Sequence, residues 1–263
     1  MANDVRPAQR IRVPILTYPA LDQRPSAITV SPETFQWQME ELHRGGFQVI
    51  SLSRLVISIN TGTSLPGRPV VIAFDDGFES VYTHAFPVLQ RFGFPATVFL
   101  VPGYCGKLND WPSQPAGAPR LPLMDWPQIR ELGRHGFEFG GHTSTHPRLD
   151  QVPPETLEGE ILESKRDIEE RLGEAIETFA YPYGRSDDAS EALVRRGYAG
   201  ACTTRLAMAG PKSDPLSLER VDAYYLQHPL MFRRLANPAF PLYLGLRQLG
   251  RTVASTVLKR EWQ

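Results

Sequence analysis

Eight short, largely apolar runs recur along this 263-residue chain, each followed by a stretch that reads as helix or turn, and they set the terms for any fold it can adopt. They are RVPILTY (12–18), FQVISL (47–52), PVVIAF (69–74), ATVFLV (96–101), FEFGG (137–141), TFAYP (178–182), YAGACTT (198–204) and LERVDAYYL (218–226). Several are apolar throughout rather than at alternate positions, the pattern of a strand covered on both faces. Strands of that kind alternating with helices make a parallel α/β sheet. Ser31 followed by Pro32 is a cap and first-turn pair for a helix running to about Arg44, with Gly45-Gly46 as its stop. Leu157, Ile161, Ile168 and Leu172 form an apolar stripe at helical spacing. About seven such units in this length fit one (β/α) barrel better than two domains. An open doubly wound sheet is the rival, because alternation alone does not show closure.

The balance of charge narrows the function classes. A net charge of -1 and a pI of about 6.6 indicate no broad basic surface, which argues against nucleic acid as the main partner. Cys105 and Cys202 lie far apart, so neither a disulfide scaffold nor a cysteine metal pair is expected, and a reducing compartment is compatible. The opening MANDVRPAQRIRVPIL holds no apolar leader core, and no run approaches the ~18 apolar residues of a spanning helix. The expectation is a soluble, cytoplasmic protein.

Three polar clusters stand directly after three of the strands. Asp75-Asp76-Gly77 follows PVVIAF, His142-Thr-Ser-Thr-His146-Pro147 follows FEFGG, and Pro182-Tyr183-Gly184-Arg185 follows TFAY. In a parallel α/β fold the C-terminal strand ends gather at one face, so clusters distant in sequence converge there. Each alone has a bland explanation, since Asp-Asp-Gly and Pro-Tyr-Gly are ordinary turns and a His-x-x-x-His pair often lies on a surface. Together, at successive strand ends, they point to a site. Two histidines four apart plus a carboxylate supply the three protein ligands of an open zinc centre, and the same donors suit Fe, Co or Ni. His142 and His146 are expected to face one way across one helical turn that Pro147 ends. A cation would also explain two adjacent acids at the edge of a core, because it relieves the repulsion between them. The proline-rich segment from Pro102 to Pro127 lies after a strand, where the alternatives are a substrate rim and a disordered surface loop.

The clusters FDDG, HTSTHP and YPYG, in this order and at these separations, resemble the first three motifs of the polysaccharide deacetylases, the NodB homology domain or carbohydrate esterase family 4. The similarity runs from about Val13 to Val221. The stretch SPETFQWQMEELHRGGFQVISL (31–52) resembles the N-terminal part of the exopolysaccharide and poly-N-acetylglucosamine deacetylase branch. The resemblance implies a distorted (β/α)7 barrel and a metal-dependent hydrolase that removes acetyl groups, N-acetyl in the first place, from a poly- or oligosaccharide or glycolipid intermediate. Carried over by position, Asp75 is the general base, and Asp76, His142 and His146 hold a divalent metal, Zn before Co, Ni or Fe. The backbone N–H of Tyr183, between Pro182 and Gly184, meets the oxyanion. Tyr181 and Trp126 are aromatic faces suited to stacking a sugar, with burial in the core as the alternative for both.

This chain also departs from the pattern. Ala73 stands where the family's first motif opens with threonine, and Phe179 stands where an arginine steadies the base, a role that Arg220 or Arg185 could take over. Leu226-Gln227-His228 has the form of the last motif, whose histidine is the general acid. Tyr18-Pro19 stands where many relatives carry Tyr-His. The expected division is an N-terminal tail (1–11), the barrel (12–228) and a basic helical extension (229–263). Between Ala223 and Arg260 there is no acidic residue, while Arg233, Arg234, Arg247, Arg251, Lys259 and Arg260 interleave with leucines and valines. Such a segment can lie on an anionic membrane surface, which makes peripheral inner-membrane contact an expectation beside a plain final barrel helix. Two rival functions share the fold: hydrolysis of a small cyclic amide, and carbohydrate binding without catalysis.

Overall fold

The computed structural model describes residues 12–26 and 28–258, with side chains as far as 253. The expected N-terminal tail, and Lys259 and Arg260, lie outside the described residues. Among the described residues ten strands form: β1 (Ile15–Tyr18), β2 (Ala20–Leu21), β3 (Thr29–Val30), β4 (Gln48–Ile50), β5 (Pro69–Phe74), β6 (Thr97–Leu100), β7 (Glu138–Gly141), β8 (Thr178–Ala180), β9 (Gly200–Leu206) and β10 (Leu218–Asp222). Parallel pairing runs β1-β10-β9-β8-β7-β6-β5, and β5 returns to β1, with Ile15 opposite Val71 and Tyr18 opposite Phe74. Seven strands therefore close into a barrel, and the open sheet is excluded. β4 adds to the first half of β5, Gln48 opposite Pro69 and Ile50 opposite Val71. Its run is cut short because Ser51 caps the next helix (Leu52–Thr61), its hydroxyl accepting the Arg54 N–H.

Double-sided burial explains the uniformly apolar strands. In β5, Val71 and Ala73 point into the barrel with Ile15, Phe99, Ala180, Cys202 and Leu218. Val70, Ile72 and Phe74 pack outward against helices, where they meet Phe35, Met39 and Leu42 of α1 (Pro32–Arg44). α1 begins as its sequence predicts, with the Ser31 hydroxyl accepting the Thr34 N–H at 3.1 Å and Pro32 in the first turn.

Two features of the scaffold serve the strand-end face. The glycines ending β7 make room for close neighbours: a Cβ on Gly140 would meet the Phe99 ring at 2.6 Å, and one on Gly141 the Tyr198 hydroxyl at 2.3 Å. The helix carrying the Leu157–Leu172 stripe opens into a π turn at Gly159–Glu163. Carbonyls in that turn take bonds from outside the helix, Glu160 from the Ser144 N–H and Ile161 from the Tyr198 hydroxyl, both at 3.0 Å. The Glu160 carboxylate also accepts the Thr145 N–H at 2.9 Å, so the π turn grips the loop between the two histidines.

After β10 the chain runs through short helical turns into a helix over Phe240–Leu258. Phe240 and Leu244 are buried, and Gln248 accepts the Leu206 N–H at 2.9 Å, which docks the helix on β9. Among the described residues no helix is long and apolar enough to cross a membrane.

Candidate metal centre and its pocket

Among the described residues four non-glycine residues have left-handed backbone, and all four lie in the three clusters: Asp76 (φ 68°), Thr143 (φ 66°), His146 (φ 60°) and Tyr183 (φ 58°). L-residues avoid that region, and such strain gathers where a site needs it. At Asp76 the purpose is visible, because the turn sends the neighbouring carboxylates to different partners.

Asp75 meets Arg220 of β10 in a two-pronged ion pair, Nη1 to Oδ1 at 2.6 Å and Nη2 to Oδ2 at 2.9 Å. The guanidinium is 4% exposed and its Nε donates to the Thr203 carbonyl at 2.8 Å, so its direction is fixed. Burial works to raise the Asp75 carboxyl, but Arg220 and the neighbouring imidazoles outweigh it and hold the group below the usual aspartate range. Arg220 thus occupies the role left open by Phe179, while Arg185 faces Asp150 at 3.7 Å.

Asp76 turns the other way. Its Oδ1 is buried, accepts no hydrogen bond, and lies 3.5 Å from His142 Nε2 and 3.2 Å from His146 Nε2. The two Nε2 atoms are 3.2 Å apart, and one ligand atom from each of the three residues falls within 4.8 Å of the others. His142 Nδ1 bonds the Ala180 carbonyl at 2.6 Å. A carbonyl only accepts, so Nδ1 carries the proton and Nε2 presents its lone pair to the centre. Burial above all, then His146, lowers His142 to about 4, which keeps the ring neutral at ordinary pH. Two imidazole nitrogens and an orphaned carboxylate oxygen fit a divalent cation of the zinc type.

The histidines do not share a helical turn as expected. Residues 142–148 form a loop, and two left-handed residues fold it so that the rings approach. The Thr143 hydroxyl accepts the His146 N–H at 2.9 Å and braces it. Trp111, from the long irregular segment, lies against the His146 ring at 4.3 Å, and Tyr183 meets that ring edge-on at 4.7 Å. The Tyr183 hydroxyl is fixed by Trp111 Nε1 at 3.2 Å and by the Ser113 carbonyl at 3.0 Å. In the Pro182–Gly184 turn, Gly184 and Arg185 donate back to Tyr181 and Pro182, and the Tyr183 N–H takes no part in that pattern. Gly184 is required where it stands, because a Cβ would come within 2.2 Å of Thr204 Oγ1.

A cavity of about 270 Å³ opens over these groups. Tyr18 and Pro19 line it, and so do Thr204, Asp222, Tyr224 and Arg251. Three expected residues lie elsewhere. Tyr181 is buried, its hydroxyl donating to the Leu216 carbonyl, and Trp126 starts a helix and packs under Arg171. Tyr181 takes the core alternative, and Trp126 is half-buried against the core's edge, outside the cavity lining. His228 is exposed and caps the helix Pro229–Phe232, its Nδ1 accepting the Leu230 N–H, and it is not among the residues that line the cavity it was expected to serve. Asp222 belongs to no site motif in the sequence, and Arg251 stood out there only as one of the basic residues of the C-terminal segment. Among the described residues, His142 and His146 are the cavity's only histidines.

The polysaccharide deacetylase family model matches residues 62–200. A Bacillus subtilis (strain 168) protein, YxkH, whose name assigns it to the polysaccharide deacetylases, is 25% identical over 211 residues, 80% of this chain and 71% of its own. The poly-beta-1,6-N-acetyl-D-glucosamine N-deacetylase of Escherichia coli K12 is 32% identical over 136 residues, 47% of this chain but 19% of its own length. The solved structure of IcaB from Ammonifex degensii superposes with a TM-score of 0.72 at 24% identity, covering 90% of this chain and 97% of that one, a likeness of fold.

Proposed function

Because the chain belongs to the polysaccharide deacetylase family, we propose that it hydrolyses acetyl groups, N-linked in the first instance, on a poly- or oligosaccharide or glycolipid intermediate. One observation carries the reading: Asp75, kept ionised by Arg220, stands beside the convergent donors of Asp76, His142 and His146. A divalent cation held by those three, zinc in the first place, would polarise the acetyl carbonyl and acidify water. Asp75 then accepts the proton as water attacks, and its lowered pKa keeps it available at neutral pH. The Tyr183 N–H donates to the developing oxyanion. With His228 absent from the cavity lining, Asp75 itself returns the proton to the leaving amine. Arg220 holds the carboxylate in place through both transfers.

Acetate release from a panel of N- and O-acetylated glycans, with and without chelator, tests the reading. Asp75→Asn is expected to abolish release while elemental analysis still finds the cation; loss of the cation instead would show the two aspartates assigned in reverse. Release from no glycan by a cation-loaded protein would favour the cyclic-amide or binding-only rivals.

We further propose peripheral contact with the inner face of the cell membrane. Its support is the stripe Leu242, Leu246, Leu249 and Val253 on the C-terminal helix, each more than half exposed. Arg233 and Arg247 turn instead to Glu41 and Tyr225, so the leucines rather than the arginines would make that contact. Liposome flotation that is equal for the full chain and for Leu246→Glu would reject it.

A further inference from the structure

The cavity contains a cation that the proposed reaction does not use. Arg251 reaches it from the C-terminal helix, far outside the three clusters. Its Nη1 donates to the Thr204 carbonyl at 3.2 Å. Thr204 is the residue against which Gly184 is packed, so Arg251 sits one residue from the turn that presents the Tyr183 N–H. The tie uses one of five guanidinium donors. Asp222 also lines the cavity and feels the charges of Arg251 and Arg220, yet burial outweighs them and raises its carboxyl, and its Oδ1 accepts the Tyr224 N–H at 2.9 Å. Asp75 is already matched by Arg220. The remaining wall is aromatic: Tyr224 is 43% exposed, and Tyr225 is held beneath Arg247, whose guanidinium lies 4.4 Å from the ring centre. A planar cation beside tyrosine faces is suited to a sugar that carries an anion.

We propose that Arg251 is a specificity-determining residue that grips an anionic group, a phosphate or a carboxylate, borne by the sugar being deacetylated or by its neighbour. The inference rests on the deacetylase reading for the identity of the sugar, and on the cavity alone for the anion. It gives the C-terminal helix a second task besides covering β9.

Titration calorimetry of the full chain, metal-loaded and chelator-treated, with N-acetylglucosamine 1-phosphate and with N-acetylglucosamine separates the outcomes. The wild type is expected to bind the phosphorylated sugar at least about tenfold tighter in both forms, and Arg251→Gln is expected to remove about tenfold or more of that preference, the scale of a lost charge-assisted bond. Equal affinity for the two sugars, a preference that survives Arg251→Gln, or a preference present only with metal would overturn the proposal. An Arg251 that merely docks the helix would weaken both sugars alike. Should Arg251→Gln lower the melting temperature, Arg251→Lys carries the test: it keeps the charge and loses the two-pronged donor, so the preference falls while melting holds. A uronic-acid disaccharide in place of the phosphate distinguishes the two anions. Acetate release from the acetylated glycan panel, measured in parallel, separates the readings, since the preference with release from no glycan rejects the deacetylase and leaves the anion subsite standing.

Discussion

Replacing Arg220 by methionine preserves most of its length while removing the charge and both bonds to Asp75. Breaking one side of a buried ion pair costs about 3–5 kcal/mol, because the abandoned charge stays buried. Arg220 is 4% exposed and Asp75 22%, so solvent offers the aspartate little relief. With the guanidinium gone, burial is the dominant influence left on Asp75 and drives its carboxyl upward. If the loss falls on the ionised form, the acid limb of the pH–rate profile moves up by about two units or more, at about 1.4 kcal/mol per unit. The assay is acetate release across pH, paired with urea unfolding of the wild type, Arg220→Met, Asp75→Asn and the double variant. The double variant is expected to recover most of the stability lost in Arg220→Met, since no buried charge remains unpaired. An unmoved acid limb together with a stability loss below about 1 kcal/mol would refute the pairing as the source of the base's ionisation.

Three further outcomes follow from the same geometry. His142, lowered to about 4 in the fold from about 6.5 when unfolded, takes up protons more readily in the unfolded chain between those values, so stability falls as pH drops through that window. The loss approaches about 3 kcal/mol, measured by urea unfolding of chelator-treated protein, and His142→Asn should flatten it. Gly184→Ala, at φ 64° and against Thr204, should cost about 1–3 kcal/mol by the same method and lower acetate release. His228→Ala should leave acetate release within about twofold and cost about 1 kcal/mol at most, the scale of a lost helix cap.

The strands and the three clusters were legible because each is a local pattern: uniform apolar runs for strands buried on both faces, and polar residues directly after them. Ring closure was not, since the β1–β5 pairing joins residues more than fifty positions apart and leaves no trace in either run. Arg220 could be named as a substitute for the missing arginine at Phe179 but not chosen over Arg185, because the choice depends on which strands become neighbours. The form Leu226-Gln227-His228 misled for a related reason: after the short turn over Ala223–Leu226 the ring is taken up as the cap of the helix Pro229–Phe232. Arg251 was visible only as part of a basic tail, a property that does not reveal which way one side chain turns. The histidine loop looked helical by spacing, whereas Thr143 and His146 take backbone angles that no residue count announces.

The left-handed torsion at Asp76 has an implication for how this centre can vary. Because one backbone rotation separates two identical side chains, their chemical difference belongs to the main chain rather than to the amino acids. A change that let residue 76 relax to an ordinary extended angle would swing its carboxylate away from the imidazoles. Both acids would then compete for a single guanidinium, and the chain would lose ligand and base together without a substitution at either aspartate.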